Sequence, residues 1–75
     1  MQKKSKISYE PLWETMRNRG ISTYELTIKQ EFNKGTLHHL KKGDNVTLET
    51  IAQLCEILDC RIEDVVKIEL EKNND

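Results

Sequence analysis

The chain has 75 residues, which allows one small domain. Charged residues make up 33% and aromatics 5%, a composition that suits a helical domain with a thin aliphatic core and offers no basis for a large ligand pocket. The net charge is −1, which by itself argues against a nucleic-acid binder, but the charge is unevenly placed. Residues 1–42 carry nine basic against four acidic side chains, a net of +5, and residues 43–75 carry three against nine, a net of −6. A basic half joined to an acidic half makes a polarised domain, although uneven charge also arises by chance in small helical domains. There is no apolar run of about 18 residues to cross a membrane. The start MetGlnLysLysSerLysIle lacks the apolar stretch of a secretory signal, so a cytoplasmic location is expected.

In chain order, the helix starts repeat one device: an apolar residue, a capping residue, and a second apolar residue at the fourth helical position. Ile7-Ser8 pairs with Leu12, Ile21-Ser22 with Leu26, Phe32-Asn33 with Leu37, and Val46-Thr47 with Ile51. Each fits a hydrophobic staple with a side-chain cap for an orphan backbone N–H, and Ser22 with Glu25 completes a capping box. The first helix is predicted from about Tyr9 to Arg19, with Pro11 tolerated in its first turn and Gly20 ending it. Leu12 and Met16 face the core, and Trp13 lies beside them as a core or half-exposed interface residue. The second is predicted from Thr23 to about Gln30. The third runs from Lys34 to Lys42, stopped by Gly43. The fourth runs from Leu48 to Leu58, with Leu48, Ile51, Cys55 and Leu58 on one stripe. Arg61 to Val66 reads as a fifth short helix burying Ile62, Val65 and Val66. The alternation Lys67-Ile68-Glu69-Leu70-Glu71 either extends it or forms a short strand, one that would serve across a dimer. The predicted organisation is a flexible basic tail over 1–7, a domain over 8–68 and a C-terminal tail over 69–75, with fraying expected over 1–6 and 72–75.

Cys55 and Cys60 do not form a disulfide framework and read as free thiols. With His38 and His39 they lack the ligand spacing of a zinc site. No nucleophile–base pair, carboxylate dyad or phosphate loop is visible, so no enzyme activity, cofactor or metal is expected.

The segment Ser22–Gly43 has the form of a helix-turn-helix, two short helices joined by a tight turn. With five helices placed, residues 8–68 resemble the lambda-repressor-like, XRE-type (Cro/CI-like) DNA-binding domain of bacterial and phage regulators, in a compact stand-alone form. The resemblance rests on Ser22-x-x-Glu25-Leu26, then Phe32-Asn33-x-x-Thr36-Leu37-x-x-Leu40-x-x-Gly43, then Val46-Thr47-Leu48-Glu49-Thr50-Ile51. It ends on Leu54-Cys55-Glu56-Ile57-Leu58-Asp59-Cys60-x-Ile62-Glu63-Asp64-Val65. It implies an all-α, five-helix fold. Three residues depart from the family pattern: Thr27 stands where a small residue is usual, Gln30 where an apolar one is, and Glu31 where glycine supplies a positive φ.

The resemblance also implies that the start of the third helix enters the major groove. Lys34, Gly35 and His39 match the positions that reach base edges, and Thr36 and His38 flank them. Lysine donates to guanine O6 and N7, histidine donates or accepts according to its tautomer, and Gly35 lets the backbone come close. The alternative is that these residues are only the solvated face opposite Leu37 and Leu40. Phosphate contacts are expected from Thr23, Asn33, Lys41 and Lys42. Lys3, Lys4 and Lys6 form either a nonspecific arm or a solvated tail. If His38 or His39 approaches phosphate, DNA affinity should rise from pH 7.5 to 6.

The expected function is sequence-specific binding of double-stranded DNA by a transcriptional regulator, a repressor, acting as a homodimer on two half-sites. Residues 61–71 are the candidate dimer surface, and no small-molecule effector is evident. The rival is a protein-interaction module, such as an antitoxin-like regulator that binds a partner protein through its acidic half. RNA is a weaker match, since no stacking aromatics are interleaved with the basic residues.

Overall fold

In the computed structural model, which describes residues 5–70, the elements in chain order are β1 (Ser5–Ser8), α1 (Glu10–Asn18), α2 (Thr23–Ile28), α3 (Lys34–Lys42), α4 (Leu48–Leu58), a single 3₁₀ turn (Ile62–Asp64) and β2 (Lys67–Leu70). Three of the four expected caps hold their helices. Ser22 and Glu25 form the reciprocal capping box of α2, Asn33 Oδ1 accepts from Thr36 N at 2.9 Å, and Thr47 Oγ1 accepts from Thr50 N at 3.1 Å. Each removes an orphan donor that would otherwise rely on water. Gly43 ends α3 at φ 82°, where glycine carries no Cβ penalty.

The fourth expected cap is different. Ser8 belongs to β1 rather than to a helix start, and its hydroxyl reaches only Glu10 N at 3.3 Å. Tyr9 takes the N-cap position of α1 without a side-chain cap bond, because its ring turns inward and is 4% exposed.

One apolar core unites the helices. Tyr9, Leu12 and Met16 of the α1 region meet Leu26, Phe32, Leu37 and Leu40, then Ile51, Leu54, Leu58 and Val65. Trp13 is half-buried against this core. On α4 the buried set is Ile51, Leu54 and Leu58, while Cys55 is half-buried and Leu48 is 76% exposed. Leu48 is the first helical residue of α4, a turn ahead of the residues that meet the core, so the stripe predicted from it is corrected.

The all-α, five-helix expectation is corrected too. There are four α-helices, and the segment expected as a fifth closes one 3₁₀ turn, with Val65 N donating to Ile62 O at 2.9 Å. The turn is tied to α1 by the Thr15 hydroxyl, which donates to Asp64 O at 2.7 Å. Val65 is fully buried and Val66 half-buried, but Ile62 is exposed. The chain then leaves as β2, antiparallel to β1 in the register Ser5↔Leu70, Lys6↔Glu69, Ile7↔Ile68, Ser8↔Lys67. The alternation over 67–70 is thus a strand paired within its own chain. Residues 5–7, expected in a flexible tail, are that strand's partner, and Lys6 lies opposite Glu69. A two-stranded sheet is marginal alone. Here Ile7 and Val66 pack against the core, and Lys67 Nζ lies 3.4 Å from Glu10 Oε1 and 3.5 Å from Glu69 Oε2. Lys3, Lys4 and residues 72–75 lie outside the described residues.

Candidate nucleic-acid interface

The helix-turn-helix is α2, the turn over 29–33, and α3. The turn is built by backbone bonds that bring the chain back to the core. Lys29 N and Gln30 N both donate to Glu25 O, at 2.9 and 3.2 Å, and Phe32 N donates to Leu26 O at 3.1 Å. Between them Glu31 has φ 56°, the positive value that the family resemblance implied for this position. The bend seats Phe32 in the core beside Leu26 and Leu37 and so fixes where α3 begins. Thr27 is half-buried, and its hydroxyl lies within donating distance of the carbonyls of Thr23 (3.1 Å) and Tyr24 (3.2 Å) of its own helix. Gln30, like Glu31, is exposed, so no apolar residue is required there.

Leu37 and Leu40 hold one face of α3 against the core. The rest of the helix surface carries Lys34, Gly35, His38, His39, Lys41 and Lys42, all exposed, with Thr36 half-buried beside them. No acidic residue lies within Lys34–Lys42. The base-edge candidates Lys34, Gly35 and His39 therefore share one accessible surface with the flanking residues Thr36 and His38, the rings of His38 and His39 meeting edge to face with centroids 6.2 Å apart. Gly35 has a local reason to lack a side chain: a Cβ there would stand 3.0 Å from Asn33 Oδ1, the atom that caps the helix.

The phosphate candidates are placed unequally. Thr23 is the first residue of α2, half-buried, and its carbonyl is taken by Thr27. Asn33 uses its carboxamide oxygen for capping. Lys41 is exposed, and no ion pair involves it among the described residues. Lys42 Nζ lies 3.8 Å from Asp44 Oδ2.

Asp44 is the residue the sequence reading missed. Its Oδ2 lies 2.9 Å from His39 Nδ1. The His39 imidazole holds the Asp44 carboxyl below the usual carboxylate range, with partial burial opposing and Lys42 adding to the effect. Its backbone is held at both ends: the N–H donates to His39 O at 2.9 Å, and the carbonyl accepts from Tyr9 Oη at 2.7 Å. Burial raises the Tyr9 phenol, which the Val46 backbone partly offsets and the Asp44 charge reinforces. A carboxylate just past a glycine C-cap can fold back on the last helical turn, which is the signal that spacing offered. Tyr24, next to Thr23, is likewise unheralded and stands 67% exposed on α2.

Among the described residues, no group of three or more His, Cys, Asp and Glu side chains is placed to hold a metal ion, and no helix is long and apolar enough to cross a membrane. Cys55 and Cys60 are free thiols, both half-buried, and burial raises the Cys60 thiol further than the nearby Cys55 and Asp64 do.

Known proteins give the same picture. The chain is similar to the solved structure of the transcriptional regulator VanUg (crystal form II), at 30% identity and a TM-score of 0.81, over 95% of this chain and 93% of that one. No curated protein sequence matches it. The family model of the Cro/C1-type helix-turn-helix DNA-binding domain matches residues 11–71. With an α2–turn–α3 unit whose second helix contains no acidic residue and packs on a shared core, the chain belongs to the Cro/C1-type helix-turn-helix DNA-binding family.

Proposed function

We propose that the protein is a cytoplasmic, sequence-specific transcriptional regulator, a repressor, that binds double-stranded DNA with α3 in the major groove. The observation that carries this reading is the exposed face of α3, where three lysines and two histidines stand clear of any acidic neighbour within the helix. A side chain reads a base only if the helix can enter the groove, and Leu37 and Leu40 hold α3 by its other face. Lys34, Gly35 and His39 meet base edges, Thr36 and His38 flank them, and Thr23, Asn33, Lys41 and Lys42 meet phosphates. Similarity to a transcriptional regulator supports the regulatory role.

One module of this size covers too little DNA for tight specific binding, so the working form is a homodimer on half-sites about 34 Å apart. The candidate contact lies in residues 61–71, where Ile68 is 57% exposed and β2 pairs, among the described residues, with β1 alone. The rival reading, an antitoxin-like module holding a partner protein, is favoured by exposed Leu48 and Ile62 in the acidic half.

The test is selection from a random duplex pool, run with wild type and the Lys34→Ala/His39→Ala double variant at two salt concentrations. One enriched motif, lost in the variant and weakened by salt, is the expected result. Weak binding without enrichment sinks the reading and turns the search to a partner protein. A light-scattering mass of one chain, with and without operator DNA, would remove the homodimer.

A further inference from the structure

The contact between Asp44 and His39 determines more than a side-chain position. A carboxylate only accepts hydrogen bonds, so at 2.9 Å from Asp44 Oδ2 the ring nitrogen Nδ1 of His39 must carry the proton. A neutral imidazole has one N–H. In the neutral ring the proton on Nδ1 leaves Nε2 as a bare acceptor, whereas the protonated ring carries an N–H on both nitrogens; Nε2 has no hydrogen-bond partner among the described residues. The partner carboxylate is itself well located. Its residue is the first after the Gly43 C-cap, its N–H is bonded to His39 O, and its carbonyl is bonded to the hydroxyl of Tyr9, a side chain 4% exposed. A chain of contacts thus runs from the core, through Tyr9 and the Asp44 backbone, to the ring of a residue on the exposed face of α3.

We infer that Asp44 is a positioning residue that fixes His39 in the Nδ1–H tautomer, so that Nε2 accepts a hydrogen bond from an amino-bearing base, adenine or cytosine, in the major groove. The inference rests on the proposed placement of α3 in the groove. Adenine N6 and cytosine N4 are the amino donors of the major groove, whereas guanine presents only acceptors there. A bare Nε2 meets the first two productively and repels the third. Without Asp44 the ring is free to carry its proton on Nε2 and to donate to guanine. Among the described residues the ring faces Asp44, whose Oδ2 also has Lys42 Nζ at 3.8 Å, and His38, which meets it edge to face.

Two measurements on the full chain test this. Long-range ¹H–¹⁵N spectra of the free protein at pH 8, above the ordinary imidazole range, report which ring nitrogen of His39 bears the proton. Nδ1–H is expected in wild type, with loss of that preference in Asp44→Ala. The second is the base preference of wild type, His39→Ala and Asp44→Ala from the random-pool selection at the same pH. Wild type should favour adenine or cytosine over guanine about fivefold or more at one half-site position. His39→Ala should lose the preference at that position alone, and Asp44→Ala should lose it or shift it to guanine while retaining the preferences elsewhere in the motif. The wild-type spectrum needs no variant, so a poorly folded Asp44→Ala does not protect the idea. An Nε2–H ring in wild type, a guanine preference at the His39 position, or an unchanged preference in Asp44→Ala each overturns it. An Nδ1–H ring with no motif enriched also overturns it, and that outcome alone removes the proposed function as well.

Discussion

The hydroxyl of Tyr9 donates to the backbone carbonyl of Asp44 at 2.7 Å, joining the start of α1 to the turn that follows α3 across 35 residues of sequence. The bond ties a core side chain to the loop beside the candidate interface. Tyr9→Phe keeps the ring and leaves the carbonyl without its partner. The expected cost is about 1–2 kcal/mol, read as a lower urea midpoint with an unchanged slope.

Asn33 is placed to couple stability to the geometry of α3, since its Oδ1 caps the helix at Thr36 N and crowds the space above Gly35. Asn33→Ala should lower stability by about 1 kcal/mol, and Asn33→Asp should largely preserve it. Thermal melts of the three proteins decide the matter.

Glu31 and Asp59 hold φ values of 56° and 52°, a region that costs a residue with a Cβ roughly 1–2 kcal/mol. Glu31→Gly removes that strain and loses part of the gain to the greater freedom of the unfolded chain. A net stabilisation of about 0.5–1 kcal/mol is expected. Glu31→Ala, which keeps the Cβ, should not gain it, and equal melting points for the two variants would contradict the argument.

Asp44 should shape the acid limb of stability. Its folded carboxyl is held below the ordinary value of 3.8 by the His39 contact. A depressed carboxyl contributes stability that is present above the unfolded value and lost as pH falls through the folded one. Wild type should therefore lose stability more steeply than Asp44→Ala between pH 4 and its lowered folded value, and the two should converge below that. Lys67 is the opposite case, raised above 10.5 mainly by its hydrogen bond to Glu10. Its contribution is present below that value and fades as pH rises through the raised one, so Glu10→Gln should flatten the alkaline limb. Denaturation midpoints across both ranges measure each effect.

Lys41 and Lys42 are assigned to phosphates rather than bases. Replacing either with alanine should weaken binding to all sequences alike and reduce the salt slope of log K by about 1. A change in the preferred bases without a change in slope would reassign the residue to a base edge.

Much of this protein is written locally. The bounds of α3 and α4, the caps at Ser22, Asn33 and Thr47 and the glycine at the end of α3 follow from neighbours within four residues, because capping and turn geometry are short-range effects; the positive φ at Glu31 was implied by the family resemblance alone. The basic exposed surface of α3 was legible for the same reason: helical spacing puts Leu37 and Leu40 on the core side and leaves His38, His39 and Lys42 turned away from it. Tertiary structure decided what depends on distant partners. Ser8 became the end of a strand rather than a helix cap because Lys67 lies opposite it, and residues 67–70 became a strand because residues 5–8 arrive alongside. Tyr9 became a core residue because the Asp44 carbonyl is there to accept its hydroxyl's hydrogen bond. The Asp44–His39 contact needed both the αL turn at Gly43 and that anchor, so the residue that orients the candidate reading ring stood in plain view as an acidic side chain in a turn.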